Sequence, residues 1–327
     1  MLYHLFYPLR DKWFVFNVFR YITFRAAYAA VTALLIMIIF TPKLVKYLKE
    51  KSLIPPHRDY VPKKGNEVPS LGGIVILSAI VISTLLWADI KQSIIQITLL
   101  VTVAMGLLGL LDDFNKILRR KGIRTLHKFI GQVIISGAFG LWLVLRKPFG
   151  ANTTITNVLF FKELMLNLGI FYAVFATVVI LATVNATNFA DGLDGLAIGL
   201  ITEVVFVYTV VAYVAGNIKT ASYLGIIYTR GTGELTVFLS SIAGSALGFL
   251  WFNSYPAKIM MGDTGALALG GAVGASAVLT KHEILLLIVG GVFVIEVLSV
   301  IIQVISYKTR GKRVFRMTPL HHHFQLK

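Results

Sequence analysis

Two adjacent aspartates, Asp112 and Asp113, close a long apolar run, SIIQITLLVTVAMGLLGLLDD, and a basic stretch, KILRRKG, begins three residues later at Lys116. The run is long enough to cross a bilayer, which takes roughly 20 residues of helix. A carboxylate at the centre of a spanning helix costs on the order of 3 kcal/mol, so a pair kept at the membrane edge points to chemistry. The two repel each other and require a shared cation or proton. Three more aspartates stand in similar places. Asp191 and Asp194 lie in NATNFADGLDG, which begins at Asn185, and Asp263 follows Asn253 in FNSYPAKIMMGDTG. Three consecutive histidines, His321, His322 and His323, come late in the sequence.

Carboxylate and amide oxygens suit a hard cation. Magnesium keeps several waters, one or two carboxylates and substrate phosphate. The chain has no cysteine, which disfavours soft metals. Zinc at the histidine block is disfavoured because three consecutive side chains of a helix cannot face one ion. Basic loops beside acidic ligands suit a polyphosphate substrate, whose charge Lys and Arg share with the metal. Asp263 precedes Thr264 and a long apolar segment, the place of a helix N-cap. Free N–H groups at such a terminus would receive a phosphate, although a plain cap has the same pattern. Glycines beside Asp191 and Asp194 let backbone approach a ligand, although DGLDG also reads as a turn.

These residues need elements to hold them, and the composition says which. The chain has 327 residues, 57% hydrophobic and 14% charged. That balance excludes an ordinary soluble domain and predicts an all-α, polytopic membrane protein. Apolar stretches at about 22–41, 72–88, 94–111, 129–145, 169–187, 195–215, 235–252, 264–280 and 284–306 give about nine spans. They are too continuous for barrel strands. With no repeat and no linker, residues 1–327 read as a single transmembrane domain. Residues 1–20 are aromatic and amphipathic and lack a signal-peptide pattern, so they read as an interfacial helix. Ala266, Gly270 and Gly274 give the eighth span a small-residue packing face. Glu203 and Glu296 fall inside spans six and nine and receive no role. The segments 146–168 and 216–234 read as connectors.

A net charge of +16 would suggest nucleic acid in a soluble protein. Here its placement gives a topology instead. Segments after spans 1, 3, 7 and 9 carry 20 of the 31 Lys and Arg, and those after spans 2, 4, 6 and 8 carry seven. The positive-inside rule then puts the N-terminus outside and the first set in the cytoplasm. Every polar cluster falls on that same cytoplasmic side, although only Lys and Arg set the parity.

LLDDFNK, NATNFADGLDGLA, FNSYPAKIMMGDTG, TPLHHHF and the PSLGG at 69–73 resemble the motifs of the polyprenyl-phosphate N-acetylhexosamine-1-phosphate transferases. The match is in order and covers almost the whole chain. HHH after TPL is similar to the phospho-N-acetylmuramoyl-pentapeptide transferases of that superfamily. The resemblance implies transfer of a phospho-sugar from UDP-N-acetylmuramoyl-pentapeptide to undecaprenyl phosphate, giving lipid I and UMP, with magnesium as cofactor. It implies a bacterial cytoplasmic (inner) membrane, surrounding lipids as partners, no nucleic acid, and leaves a homodimer open. By motif, Asp263 is a magnesium ligand, and Asp112 and Asp113 are the catalytic pair, with Asp112 as base on the lipid phosphate. Asn185, Asp191 and Asn253 line the polar site, and Gly192, Leu193 and Asp194 lie where the family holds uridine. Lys116 and Lys128 suit phosphate contacts, and His321, His322 and His323 flank the nucleotide sugar.

The sequence departs from the family in four places. A tenth span would follow Lys327. Gln325 stands where Glu is frequent, and Met260 where Phe can stack on uracil. Lys63 and Lys64 lie slightly upstream of the family's basic position in its Pro-containing loop. Two rival readings are a sister enzyme using UDP-N-acetylglucosamine and, from another class, a cation transporter. A transporter expects carboxylates near the midplane on broken helices, not gathered at one edge. An inactive relative is the third, against which the full set of aspartates argues.

Overall fold

The computed structural model describes residues 1–51, 53, 68–157 and 165–326. The positions of Lys63 and Lys64 lie outside them. The chain is helical almost throughout. After α1 (Leu2–Phe6) and two 3-10 stretches come α2 (Ile22–Glu50), α3 (Gly72–Trp87), α4 (Ser93–Arg119) and α5 (Thr125–Arg146). A short antiparallel hairpin, β1 (Ile155–Asn157) and β2 (Met165–Asn167), pairs Thr156 with Leu166. Then follow α6 (Tyr172–Ala190), α7 (Leu196–Ala215), α8 (Ile218–Leu224), α9 (Gly233–Asn253) and α10 (Gly262–Thr280). The chain closes with α11 (Leu285–Val289), α12 (Gly291–Arg310) and α13 (Leu320–Gln325). Among the described residues, 8 helices are long and apolar enough to cross a membrane. Gly72–Trp87 is a shorter apolar helix. The protein is a multi-pass, all-α membrane protein.

α10 is the axis of the bundle, and every residue from Asp263 to Thr280 is buried. It packs against α4, α6, α3 and α7. Its sequence, GDTGALALGGAVGASAVLT, is what permits this. In lipid, helices associate through close backbone packing, which small residues allow. A Cβ on Gly270 would sit 2.7 Å from Val184 Cα, and one on Gly274 would sit 3.0 Å from Ile180 Cα, both on α6. The small-residue face predicted for this span is therefore its contact with α6. On its other side Gly109 of α4 meets the backbone of Asp263, where any side chain would collide.

The ninth apolar stretch is not one helix. It breaks at Gly290 (φ −93°, ψ 23°) into α11 and α12, because the Gly290–Gly291 pair weakens the helix where it enters. The segment after α10 holds more than a connector. Glu283 is 3% exposed and accepts hydrogen bonds from Thr156 at 2.8 Å and from Tyr172. Lys281 is fully buried, donates to the Thr153 carbonyl and lies 3.8 Å over the Tyr172 ring. This ties the hairpin to α6 and α10. At the same end, Arg25 grips Glu234 with two bonds of 2.6 and 2.5 Å. Both clusters sit at the end of the bundle opposite the five aspartates.

Candidate active site

The aspartates sit where four helix ends meet. α4 continues past Asp112 and Asp113 to Arg119, so the pair lies inside a helix, with Asp112 4% and Asp113 2% exposed. Adjacent residues on a helix point about 100° apart, and here they serve different partners. Asp113 Oδ1 accepts from the backbone N–H of Asp263 at 3.1 Å. Its Oδ2 accepts from the N–H of Thr264 at 2.8 Å and from the Thr264 hydroxyl at 2.6 Å. Asp113 thus caps the start of α10 from a neighbouring helix. This corrects the expectation that Asp263 is the N-cap. Asp263 lies one residue inside α10, which begins at Gly262 with φ +73°. It also corrects the expectation of free N–H groups there, since Asp113 already occupies two of them.

Asp112 faces the other way. Its Oδ1 accepts from the Ile123 N–H at 2.6 Å, in the tight loop between α4 and α5. Its Oδ2 lies 2.9 Å from Lys116 Nζ and 3.4 Å from Lys128 Nζ. Both lysines also bind Asp263 Oδ2, Lys116 at 3.0 Å. Asp112 and Asp263 therefore converge on the same two ammonium groups, from helices far apart in sequence. Asn188, with its amide nitrogen toward Asp263, donates to Oδ1 at 3.2 Å and accepts from Lys128 at 3.3 Å. Hard oxygen donors gathered around positive charge fit a magnesium ion, for which two carboxylates with waters and phosphate are enough. No group of three or more His, Asp or Glu among the described residues forms a closed metal cage. An open carboxylate pair is the arrangement left.

Asn185 sits one turn before Asn188 in α6 and is turned elsewhere. Its amide donates to Gln132 of α5 at 3.0 Å and to the Leu181 carbonyl at 2.8 Å. Asn253, at the end of α9, is 2% exposed and acts as a staple. Its oxygen accepts from the Gly195 N–H at 3.1 Å, and its nitrogen donates to the Ile259 carbonyl at 2.8 Å. Gly195 has φ +76°, a conformation that an L side chain resists, which fixes the end of the DGLDG turn. Asp194 accepts from the Ala257 N–H at 3.1 Å, so the same turn holds the loop after α9 from a second side. Met260 pairs by backbone with Pro69 at 2.8 Å and Gly72 at 3.0 Å, which places PSLGG along this loop. Asp191 ends α6, and Leu193 lies half-buried in the turn.

The three histidines diverge, as their spacing requires. His321 packs against Gly192, His322 Nδ1 lies 3.0 Å from Gln325, and His323 Nδ1 accepts from the Arg316 N–H at 3.1 Å. Gln303 of α12 holds the loop before them, accepting from the N–H groups of Val314 and Phe315 at 2.9 and 3.0 Å. Burial first, and then the neighbouring His322, holds the His321 imidazole below its ordinary pKa against the pull of Glu296. Sequence reasoning missed Asn188, Gln132, Gln303 and Glu296 as members of the site. Asn188 could have been found, because it stands between Asn185 and Asp191 in the same NATNFADGLDG motif.

An acid pair and two lysines held by four helix ends in a membrane bundle form a site for a charged, phosphate-bearing ligand. The chain belongs to glycosyl transferase family 4, whose model matches residues 95–281. Over its whole length it is 48% identical to the phospho-N-acetylmuramoyl-pentapeptide-transferase of Geobacter sp. (strain M21), covering 92% of that protein. The enzyme of the same name from Citrifermentans bemidjiense is 48% identical, and that of Pelobacter propionicus 46%, each with 100% of this chain and 92% of the relative covered.

Proposed function

We propose that this protein moves phospho-N-acetylmuramoyl-pentapeptide from UDP to undecaprenyl phosphate, yielding UMP and lipid I for peptidoglycan synthesis. The convergence of Asp112, Asp263 and Asn188 on Lys116 and Lys128 carries the reading, together with full-length similarity to transferases of that name. An oxygen of the lipid phosphate attacks the phosphorus that bears the sugar, and the bond from that phosphorus to UMP breaks. Asp112 Oδ2 takes or directs the proton of the attacking phosphate. Lys116 and Lys128 hand their charge from the carboxylates to the pyrophosphate as it enters. Asp263 would hold magnesium beside Asp112, and the ion would neutralise charge on the transferring group. Asp113 Oδ1 lies at the edge of this charge, 3.9 Å from Lys116 Nζ, but it spends its hydrogen bonds on the start of α10, as Asn253 spends its own on the DGLDG turn and the loop after α9. They hold α10 and the DGLDG turn at the right distance from α4.

The expected result in detergent, with undecaprenyl phosphate supplied, is release of UMP from UDP-MurNAc-pentapeptide that stops when magnesium is chelated. Turnover only with UDP-N-acetylglucosamine would assign the protein to the sister enzymes. Undiminished turnover under chelation would remove the metal from the scheme.

The site faces the cytoplasm of a bacterial inner membrane in this reading, with the N-terminus outside. The 20-to-7 split of loop Lys and Arg supports it. The chain has no cysteine of its own, so single cysteines are clean reporters. At Lys49, Arg120 and Lys312 they should resist an impermeant thiol reagent in intact cells and react after lysis. Labelling of all three in intact cells would invert the topology.

A further inference from the structure

One buried carboxylate touches the site without a part in the transfer. Glu296 of α12 is 5% exposed, and its Oε2 accepts from the His321 backbone N–H at 3.3 Å. The same oxygen lies 3.2 Å from His321 Nδ1. His321 is itself 6% exposed. The opposite edge of its ring rests on Gly192, where a Cβ would collide with Nε2 and come within 3.0 Å of Cε1. The imidazole is clamped between a carboxylate on one side and the DGLDG turn on the other. Both ring nitrogens are buried and neither has a well-aligned hydrogen bond within the protein, so a ligand reaches Nε2 as the Gly192 turn gives way. Groups that act on a ligand are often slightly out of line until the ligand arrives.

We propose that Glu296 is a positioning residue that fixes the plane and tautomer of His321, leaving Nε2 as a hydrogen-bond acceptor for the nucleotide sugar at the Gly192 turn. This rests on the transfer proposed above. A carboxylate beside Nδ1 draws the ring proton to that nitrogen, so the neutral ring carries its lone pair on Nε2. Carboxylates orient metal-bound histidines by the same logic. An acceptor at Nε2 pairs with an N–H or O–H of the base, the ribose or the sugar amide. It has nothing to offer an ionised phosphate, which brings no donor. The ligand group at this edge is therefore an uncharged donor, and the phosphates belong to the lysine side of the site.

Turnover and saturation with UDP-MurNAc-pentapeptide test this in Glu296→Ala, Glu296→Leu, Glu296→Gln, His321→Ala and the double variant Glu296→Ala with His321→Ala. The parent must release UMP for the comparison to begin, and its failure would count against the transfer itself. Removing the carboxylate should lower kcat/KM by roughly 10–100-fold, the usual effect of losing an orienting partner. Gln still accepts from Nδ1–H and the backbone N–H, so Glu296→Gln should recover most of the loss. In the His321→Ala background, Glu296→Ala should add nothing, because residues that act through one another are not additive. Independent effects that multiply in the double variant would overturn the proposal. So would parent-like turnover in Glu296→Ala, or loss of the folded protein in both Glu296→Ala and Glu296→Leu, which would make the carboxylate purely structural.

Discussion

Asp263→Asn and Asp112→Asn are each expected to lose about 100-fold or more in turnover, at ~1.4 kcal/mol per decade of rate, with the bundle intact. Each change removes one negative charge from a centre where two carboxylates face two ammonium groups. The oxygen that remains on Asn accepts more weakly than a carboxylate and binds a hard cation poorly. Preorganised charge of this kind supplies several kcal/mol of transition-state stabilisation in phosphoryl transfer. Neither carboxylate group holds the helices together by itself. Asp112 Oδ1 still accepts from Ile123 after substitution, and the backbone of α10 stays held by Asp113. The variants should therefore melt near the parent while rate collapses, and raising magnesium should recover part of the Asp263→Asn loss. Near-parent rates at limiting magnesium in both variants would remove these two carboxylates from the chemistry.

Much of this arrangement was legible in the sequence. Long apolar stretches fixed the helices, and the four polar motifs fell at one end because alternate spans must end there. The small residues of α10 announced a helix that others enclose. What stayed hidden was which atom faces which. Asp112 and Asp113 look equivalent in the sequence, and the packing of α4 on α10 at Gly109 separates them, setting one against both lysines and the other mainly against the start of α10, with Lys116 3.9 Å away. Asn185 and Asn188 likewise differ by less than a helical turn, yet one meets Gln132 and the other Asp263. Burial of Lys281 and Glu283 was also invisible, since an isolated charge in a short segment reads as solvated. Glu296 carried no role for the same kind of reason. Its partner lies 25 residues away, beyond any helical spacing.

Asp113→Asn is expected to lose activity by a different route, through the position of α10. The carboxylate accepts three hydrogen bonds, two from backbone N–H groups and one from the Thr264 hydroxyl, and all three donors are buried. An amide presents one accepting oxygen and, in place of the other, an NH2 that faces donors. Whichever way it turns, at least one buried N–H at the start of α10 loses its partner. Leaving such a group unsatisfied costs about 1–3 kcal/mol. The start of α10 carries Asp263, so the helix end that shifts takes the acid centre with it. Asp113→Asn should therefore melt several degrees below the parent, and its rate should fall together with its stability. Thr264→Val removes one of the three donors without adding a new one, and it should show a smaller loss of the same kind. Asp263→Asn should show the opposite pairing, an intact melt with a collapsed rate. Thermal melts and UMP release measured on the same detergent samples separate the two. An Asp113→Asn protein that melts with the parent but does not turn over would place this carboxylate in contact with the reacting phosphates, and the division of labour between the two adjacent aspartates would fall.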